Sequence, residues 1–282
     1  MDNYIIRNMS AAEVKNIAVD WAQKEGWNPG LYDSSVFYQT DPNGFLVGLL
    51  DNIPIACIST VSYDGSFGFL GFYIVKEGFR GKGYGLSIWE KAMDYIGSHN
   101  VGLDGVVAQQ SNYMKSGFKF AYSNIRYEGI AKTFSNSKNG IVVFSEDHFE
   151  ELVKYDSKLF PALRTKFLRG WVKLPEAETF ISYANSEING YATVRKCNVG
   201  YKIGPLFAND TETANALFVA ACNFAGIGST IYLDTPEVNL NAVALAENYG
   251  MKKVFETARM YTKEKPSIDV SKIFGVTTFE LG

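Results

Sequence analysis

Six residues, Arg80-Gly81-Lys82-Gly83-Tyr84-Gly85, carry the strongest chemical signal in the chain. They stand between a strand-like run, 67–75, and a helix-like run, 84–96. Glycines on alternate positions leave the backbone uncovered, so several N–H groups can converge on one anion. The start of a helix adds partial positive charge at the same point. Arg80 and Lys82 add full charges. A diphosphate is the group best suited to that corner, which narrows the ligand to nucleotide-like cofactors.

Spacing separates the phosphate turns. A Walker-type loop needs Gly, four residues, then Gly-Lys-Ser/Thr; here Lys82 is followed by Gly83 and Tyr84, and the metal-binding hydroxyl is missing. A dinucleotide fingerprint reads G-x-G-x-x-G, and Gly81-x-Gly83-x-Gly85 is one residue short of it. A third pattern, Arg/Gln-x-x-Gly-x-Gly/Ala at a helix start, is matched by Arg80, Gly83 and Gly85 at every position. That pattern resembles the coenzyme A turn of the GNAT acyltransferase superfamily. Val75 fits the apolar residue that often closes the preceding strand in that family, while Glu77 stands where proline is common. A glycine-rich connection that holds no ligand is the alternative.

The 282 residues allow one large domain or two ordinary ones, and 46% hydrophobic content suffices for packed cores. A net charge of −3 gives no broad basic footprint for nucleic acid. The start, Met1-Asp2-Asn3-Tyr4, lacks a signal peptide's basic and apolar regions. No apolar run approaches the roughly 18 residues of a membrane span. Cys57, Cys197 and Cys222 are odd in number, far apart and set in apolar surroundings, so they read as buried thiols of a cytoplasmic protein. His99 and His148 are the only histidines, and no cluster has metal-ligand spacing, so metal hydrolysis and histidine triads drop out. Oligomeric state is not readable.

The elements that would position the turn follow from periodicity. Tyr4 to Arg7 reads as a strand, and Ser10 with Glu13 as a capping box opening a helix through Trp21. Residues 25–30 form an irregular loop. Strands are expected at 45–50, 53–63 and 67–75, with hairpin turns at Asp51-Asn52 and Asp64-Gly65. Ile88, Trp89, Ala92, Met93 and Ile96 make one helical face. A short buried strand at 105–108, a brief helix at 112–115 and a strand or strand pair at 118–127 complete the first half. This order, β-α-β-β-β-α-β-α-β, resembles the GNAT fold, an α/β mixed sheet with helices on both faces.

After a polar linker, 132–139, the order begins again. A strand at 140–144, helices at 147–155 and 163–171, a meander over 180–203, a helix at 211–225, a strand at 229–233, a helix at 239–249 and a strand at 251–261 are expected. Tyr249-Gly250-Met251 echoes Ser116-Gly117-Phe118. The resemblance therefore implies a tandem protein: residues 1–131 a GNAT domain binding acetyl-CoA, and 140–282 a degenerate copy that shapes the acceptor cleft. In the copy, the segment 204–210 would replace the phosphate turn. Pro205 has no N–H to offer, and Asp210 would itself occupy the helix start.

The resemblance also assigns roles. Tyr73, Ile74, Val75, the turn Arg80, Gly81, Lys82, Gly83, Tyr84 and Gly85, and Asn112 would hold acetyl-CoA. Tyr113, four residues before Gly117-Phe118, would assist the leaving thiolate; its counterpart in the copy is Ala246. The reaction implied is acetyl transfer to an amine, small molecule or peptide, with no nucleic acid, membrane or metal. The pantetheine arm would need a splayed or bulged strand. Trp27, Phe72 and Tyr73 would make an aromatic acceptor pocket, walled by Tyr155, Asp156 and Arg164 from the second half. No carboxylate lies on the strand before the turn, so Glu25, Asp33, Asp156 or a held water are the candidate proton relays. A non-catalytic acyl-CoA sensor and a ligand-free scaffold are the competing readings.

Overall fold

The computed structural model describes residues 3–63, 65–132 and 140–282. The expected linker, Lys132 apart, and Asp64 of the second hairpin turn lie outside the described residues. The strands are β1 Tyr4–Asn8, β2 Phe45–Leu50, β3 Ile53–Tyr63, β4 Phe67–Val75, β5 Asn100–Val106 and β6 Lys119–Ile130 in the first half. The second half adds β7 Ile141–Val143, β8 Ala177–Ala184, β9 Glu187–Lys196, β10 Tyr201–Ala208, β11 Thr230–Pro236, β12 Lys252–Tyr261 and β13 Ile273–Gly275. All join one mixed sheet in the order β1-β2-β3-β4-β5-β12-β6-β11-β10-β9-β8-β7, with β13 on β10.

The centre of that order shows how the halves are joined. β12 of the second half pairs antiparallel with β5 of the first, from Thr257↔Val106 to Tyr261↔Gly102. β6 of the first half pairs antiparallel with β11 of the second, from Thr230↔Ile130 to Pro236↔Asn124. Each half therefore lends its last long strand to the other, and β6 and β12 meet in the middle. Three buried ion pairs cross the same seam: Arg126 with Asp234, Arg195 with Asp33, and Arg259 with Asp104. Burial makes each pair costly to break from one side, because the remaining charge loses its partner without regaining water.

Local sequence explains the supporting elements. Ile88, Trp89, Ala92 and Ile96 are the buried face of the helix Tyr84–Ile96, which packs on β3 and β4. β2 and β4 are near-continuous apolar runs because both of their faces are covered. Ser10 and Glu13 form the expected capping box. No helix among the described residues is long and apolar enough to cross a membrane.

Several expectations need correction. β5 begins at Asn100, earlier than the apolar residues suggest, and β6 is one long strand because partners flank it on both sides. A helix, Asp33–Thr40, follows the 25–30 loop. β10 runs through Gly204 and Pro205 to Ala208, so the second half has no long turn there; only Asn209 and Asp210 separate the strand from the helix Thr211–Ala225.

Candidate active site

β4 and β5 run parallel and paired only from Phe67↔Asn100 to Leu70↔Leu103. Beyond Leu70 the strands part, and a cavity of about 640 Å³ opens between them. The parting is helped by a bulge. Cys57 faces Ile74 and Ser59 faces Gly71, so β4 has one residue more than β3 over this stretch. Phe72 sits at the bulge with φ +49°. The β5-facing edge of 71–75 is thus left without a strand partner, as an added extended ligand would require.

Neighbouring side chains of β4 enter different cores, as the pleat requires, and the bulge shifts which face each one takes. Phe72 packs on Phe37 and Phe45, at ring separations of 5.9 and 6.4 Å. Tyr73 packs edge-on against Trp89 beneath the helix, at 5.2 Å. Both residues line the cavity, as do Trp27, Ile74 and Val75. The three expected aromatics thus line one cavity, with Phe72 and Tyr73 anchored on opposite sides of the sheet.

At one end of the cavity lies the glycine turn. Gly81 and Gly83 have φ +72° and +87°, the left-handed region that favours glycine. Gly83 precedes the first residue of the helix, and no side chain caps that end. The first amides of the helix have no intrahelical acceptor. Arg80, Gly81, Gly83 and Gly85 line the cavity; Lys82 and Tyr84 do not. The Lys82 ammonium lies over the Phe79 ring at 5.7 Å, and Tyr84 rests on Tyr4 at 4.8 Å. Arg80 turns back, donating from Nε to the Val75 carbonyl at 2.7 Å and from Nη2 to Glu25 at 3.3 Å.

Tyr113 lines the same cavity, buried between Trp89, on which it stacks at 5.8 Å, and Gly105. Burial pushes its phenol up to about 12. Among the described residues its hydroxyl makes no hydrogen bond. Asn112 is exposed, bonds Gln109 and does not line the cavity, whereas Gln109 does.

The carboxylates expected from sequence are mostly committed elsewhere. Asp156 is 1% exposed and held by Arg164 through two bonds of 2.7 and 2.9 Å, with Tyr191 donating a third. It does not reach the cavity, and its place as an acceptor contact is corrected accordingly. Asp33 is buried on Arg195 and the Gly30 amide. Tyr155 bonds the Asn189 carbonyl. Glu25 alone of the three lines the cavity.

The far end of the cavity is built by residues that sequence reasoning passed over: Asp104, Phe255, Thr257, Phe279 and Glu280. Asp104 is spoken for by Arg259, at 2.9 and 2.6 Å. Glu280 belongs to the segment 276–282, which is buried throughout. Val276 donates to the Asp234 carbonyl, Arg164 to Thr277 Oγ1, and Tyr63 to the Leu281 carbonyl. Gly71 lets the segment approach β4: a Cβ there would lie 2.2 Å from the Glu280 carbonyl oxygen. The available signal was a lone acid inside an otherwise uncharged run, Ile273 to Leu281.

The second half repeats the frame and closes it. β10 and β11 pair in parallel from Tyr201↔Ile231 to Ile203↔Leu233. Where they would part, β13 enters, pairing Gly275 with Leu206 of β10, while the Val276 amide bonds Asp234 of β11. Asp210 accepts the Thr213 amide at 2.7 Å and fills the helix start. Phe118 N–H bonds the Tyr113 carbonyl, and Met251 N–H bonds that of Ala246, both at 3.1 Å. Ala246 thus occupies the equivalent corner without a phenol.

The two halves repeat one fold, and comparison with known proteins identifies it. The Acetyltransferase (GNAT) family description matches residues 12–118, and an Acetyltransferase (GNAT) domain description matches 152–275. The chain belongs to the GNAT acyltransferase family, with a GNAT fold in each half. A holothin acyltransferase of Pseudoalteromonas sp. is 30% identical over 273 residues, covering 97% of this chain and 93% of that protein. An acetyltransferase candidate from Pyrococcus horikoshii shares the fold at TM-score 0.83 and 19% identity, over 99% and 96% of the two chains. A tandem GNAT protein from the clavulanic acid pathway does so at TM-score 0.65 and 10% identity, over 93% and 100%.

Proposed function

We propose that this acyltransferase moves an acetyl group directly from acetyl-CoA to an amine, and that the whole reaction occupies the β4–β5 opening. The observation that carries the reading is convergence. One cavity is lined by the uncapped glycine turn, the unpaired edge of a bulged strand and a buried tyrosine with a free hydroxyl.

In this reading the amides of 81–85 hold the diphosphate, and the pantetheine arm lies along 71–75 as an added strand. An amide near Tyr73 to Val75 stabilises the oxyanion of the tetrahedral intermediate, a contact worth about 3 kcal/mol, or roughly a hundredfold in rate. Tyr113 donates a hydrogen bond to the departing thiolate. Tyr73, Ile74, Val75, Arg80, Gly81, Gly83 and Gly85 form the cofactor wall. Lys82 and Tyr84 contribute through their main-chain amides, and Asn112 supports the 110–115 helix. Residues 1–131 bind the donor. Residues 140–282 do not bind it in the same manner, since β13 occupies the corresponding opening, and they supply the far wall through Phe255, Thr257, Phe279 and Glu280. The three buried, unpaired cysteines suit a reducing compartment, the cytosol.

Trp27, Phe72, Phe255 and Phe279 give the acceptor end an aromatic character that suits a small amine. Holothin, named for the relative, is the first acceptor to try. Purified protein with acetyl-CoA and a panel of amines should release free thiol in an amine-dependent manner and yield an acetylated product by mass spectrometry. Binding of acetyl-CoA with no thiol release from any amine would favour a sensor instead.

A further inference from the structure

Glu280 is 2% exposed, yet among the described residues neither of its carboxylate oxygens has a hydrogen-bond partner. It lines the cavity that holds Tyr113 and the β4 bulge. A buried acid with neither ion pair nor hydrogen bond is expensive to keep, and this one is held in place by the bonds along 276–282 described above. Gly71, on β4 itself, is shaped to admit its backbone.

We propose that Glu280 is the general base of the reaction, taking the proton of the acceptor amine directly or across one water. The inference rests on acetyl transfer in the β4–β5 opening. The amine nitrogen bonds to the acetyl carbon and the carbon–sulfur bond breaks. One proton passes from nitrogen to the Glu280 carboxylate and on to solvent. The coenzyme departs as a thiolate on the Tyr113 hydroxyl and is protonated from solvent. A general base can act across one water on the proton it takes, which suits the buried Glu280 oxygens.

The surroundings tune the group. Burial is the largest influence and raises the Glu280 carboxyl above its ordinary value; Lys202 and Arg126 pull it back. Asp33, beside Arg195, raises it further, and Arg195 lowers it. A carboxylate with a raised pKa is a stronger base, closer to the working pH. Lys202 of β10 and Arg195 of β9 have bonding capacity to spare. The Lys202 ammonium makes one bond of 3.4 Å to the Trp27 carbonyl, and Arg195 Nη2 is unpartnered. These groups keep the ionised form tolerable without neutralising it.

Glu280→Gln separates this role from a structural one. Amine-dependent thiol release, with holothin and benzylamine as acceptors, should fall at least a hundredfold, within the range for loss of a general base. Glu280→Asp should retain at least tenfold more activity than the glutamine variant. The acidic limb of the wild-type kcat profile should not move with the acceptor's own pKa and should vanish in Glu280→Gln. Acetyl-CoA affinity by calorimetry should stay within threefold, so a failure of donor binding in the wild type would indict the function and not the base. Thermal stability needs no acceptor. An acid with a raised folded pKa loses stability as pH climbs through that pKa. The glutamine variant should therefore melt at or above the wild type, with the gap widening above about pH 4.5. Turnover within threefold of wild type, or a melting temperature several degrees lower at neutral pH, would overturn the proposal; the second result would make Glu280 a counter-ion for Lys202, Arg126 and Arg195.

Discussion

Replacing Tyr113 by Phe tests the thiolate contact with little disturbance to the fold. The ring would keep its 5.8 Å stack on Trp89 and its seat against Gly105. The hydroxyl leaves no protein group unpaired, because it has no partner to lose, so stability should change by less than about 0.5 kcal/mol. The catalytic cost follows from the acid's strength. Burial places the phenol at about 12, whereas a free thiol titrates near 8.5. Full proton transfer to the thiolate would be uphill by about 5 kcal/mol, so the group acts as a hydrogen-bond donor. A hydrogen bond to a charged atom contributes about 1.5–3 kcal/mol, which corresponds to roughly 10- to 150-fold in kcat. Steady-state thiol release at saturating acetyl-CoA measures that factor, and calorimetry checks that donor affinity is unchanged. No limb of the pH profile below about pH 9 should belong to the phenol, because it stays protonated there. A kcat within threefold of wild type would refute the assignment of Tyr113.

Other substitutions test the surrounding structure. A Cβ on Gly85 would lie 2.7 Å from Tyr73 Oη and 3.0 Å from Val75 Cγ2; Gly85→Val should weaken acetyl-CoA binding by roughly tenfold or more in calorimetry, as expected for loss of one amide–phosphate bond. Arg126→Met strands Asp234, which is bound through two contacts of 2.7 Å across the seam; it should cost about 3–5 kcal/mol in urea unfolding, and adding Asp234→Leu should recover most of it. Glu13 is held down to about 2 by its bond to Arg7. A depressed carboxyl contributes stability above its unfolded pKa and loses it as pH falls through the folded one. The melting deficit of Glu13→Gln should therefore be full at neutral pH and disappear between about pH 4.5 and 2.

The sequence was most legible where chemistry and local geometry coincide. The glycine turn, the buried stripe of the 84–96 helix and the matched corners at Tyr113 and Ala246 each follow from residues within one turn or one hairpin. The strand exchange was not legible, because β6 and β12 carry compatible patterns and nothing local says which neighbour each will choose. Asp33 and Asp156 looked like free acids; their arginines are 162 and 8 residues away in sequence, and only folding brings them together. The bulge at Phe72 shifted the phase of alternation along β4, so which face each of Phe72 and Tyr73 takes was not legible from the strand pattern. Glu280 escaped for the same long-range reason: its significance comes from where β13 delivers the following segment, across the seam onto β4.

The two related openings differ, one held apart beside the glycine turn and one filled by β13. Isothermal titration of the intact chain with acetyl-CoA reads that difference as a stoichiometry. Saturable binding of one equivalent per chain, weakened in Gly85→Val, is the predicted result. No binding at millimolar acetyl-CoA, or two equivalents per chain, would contradict it.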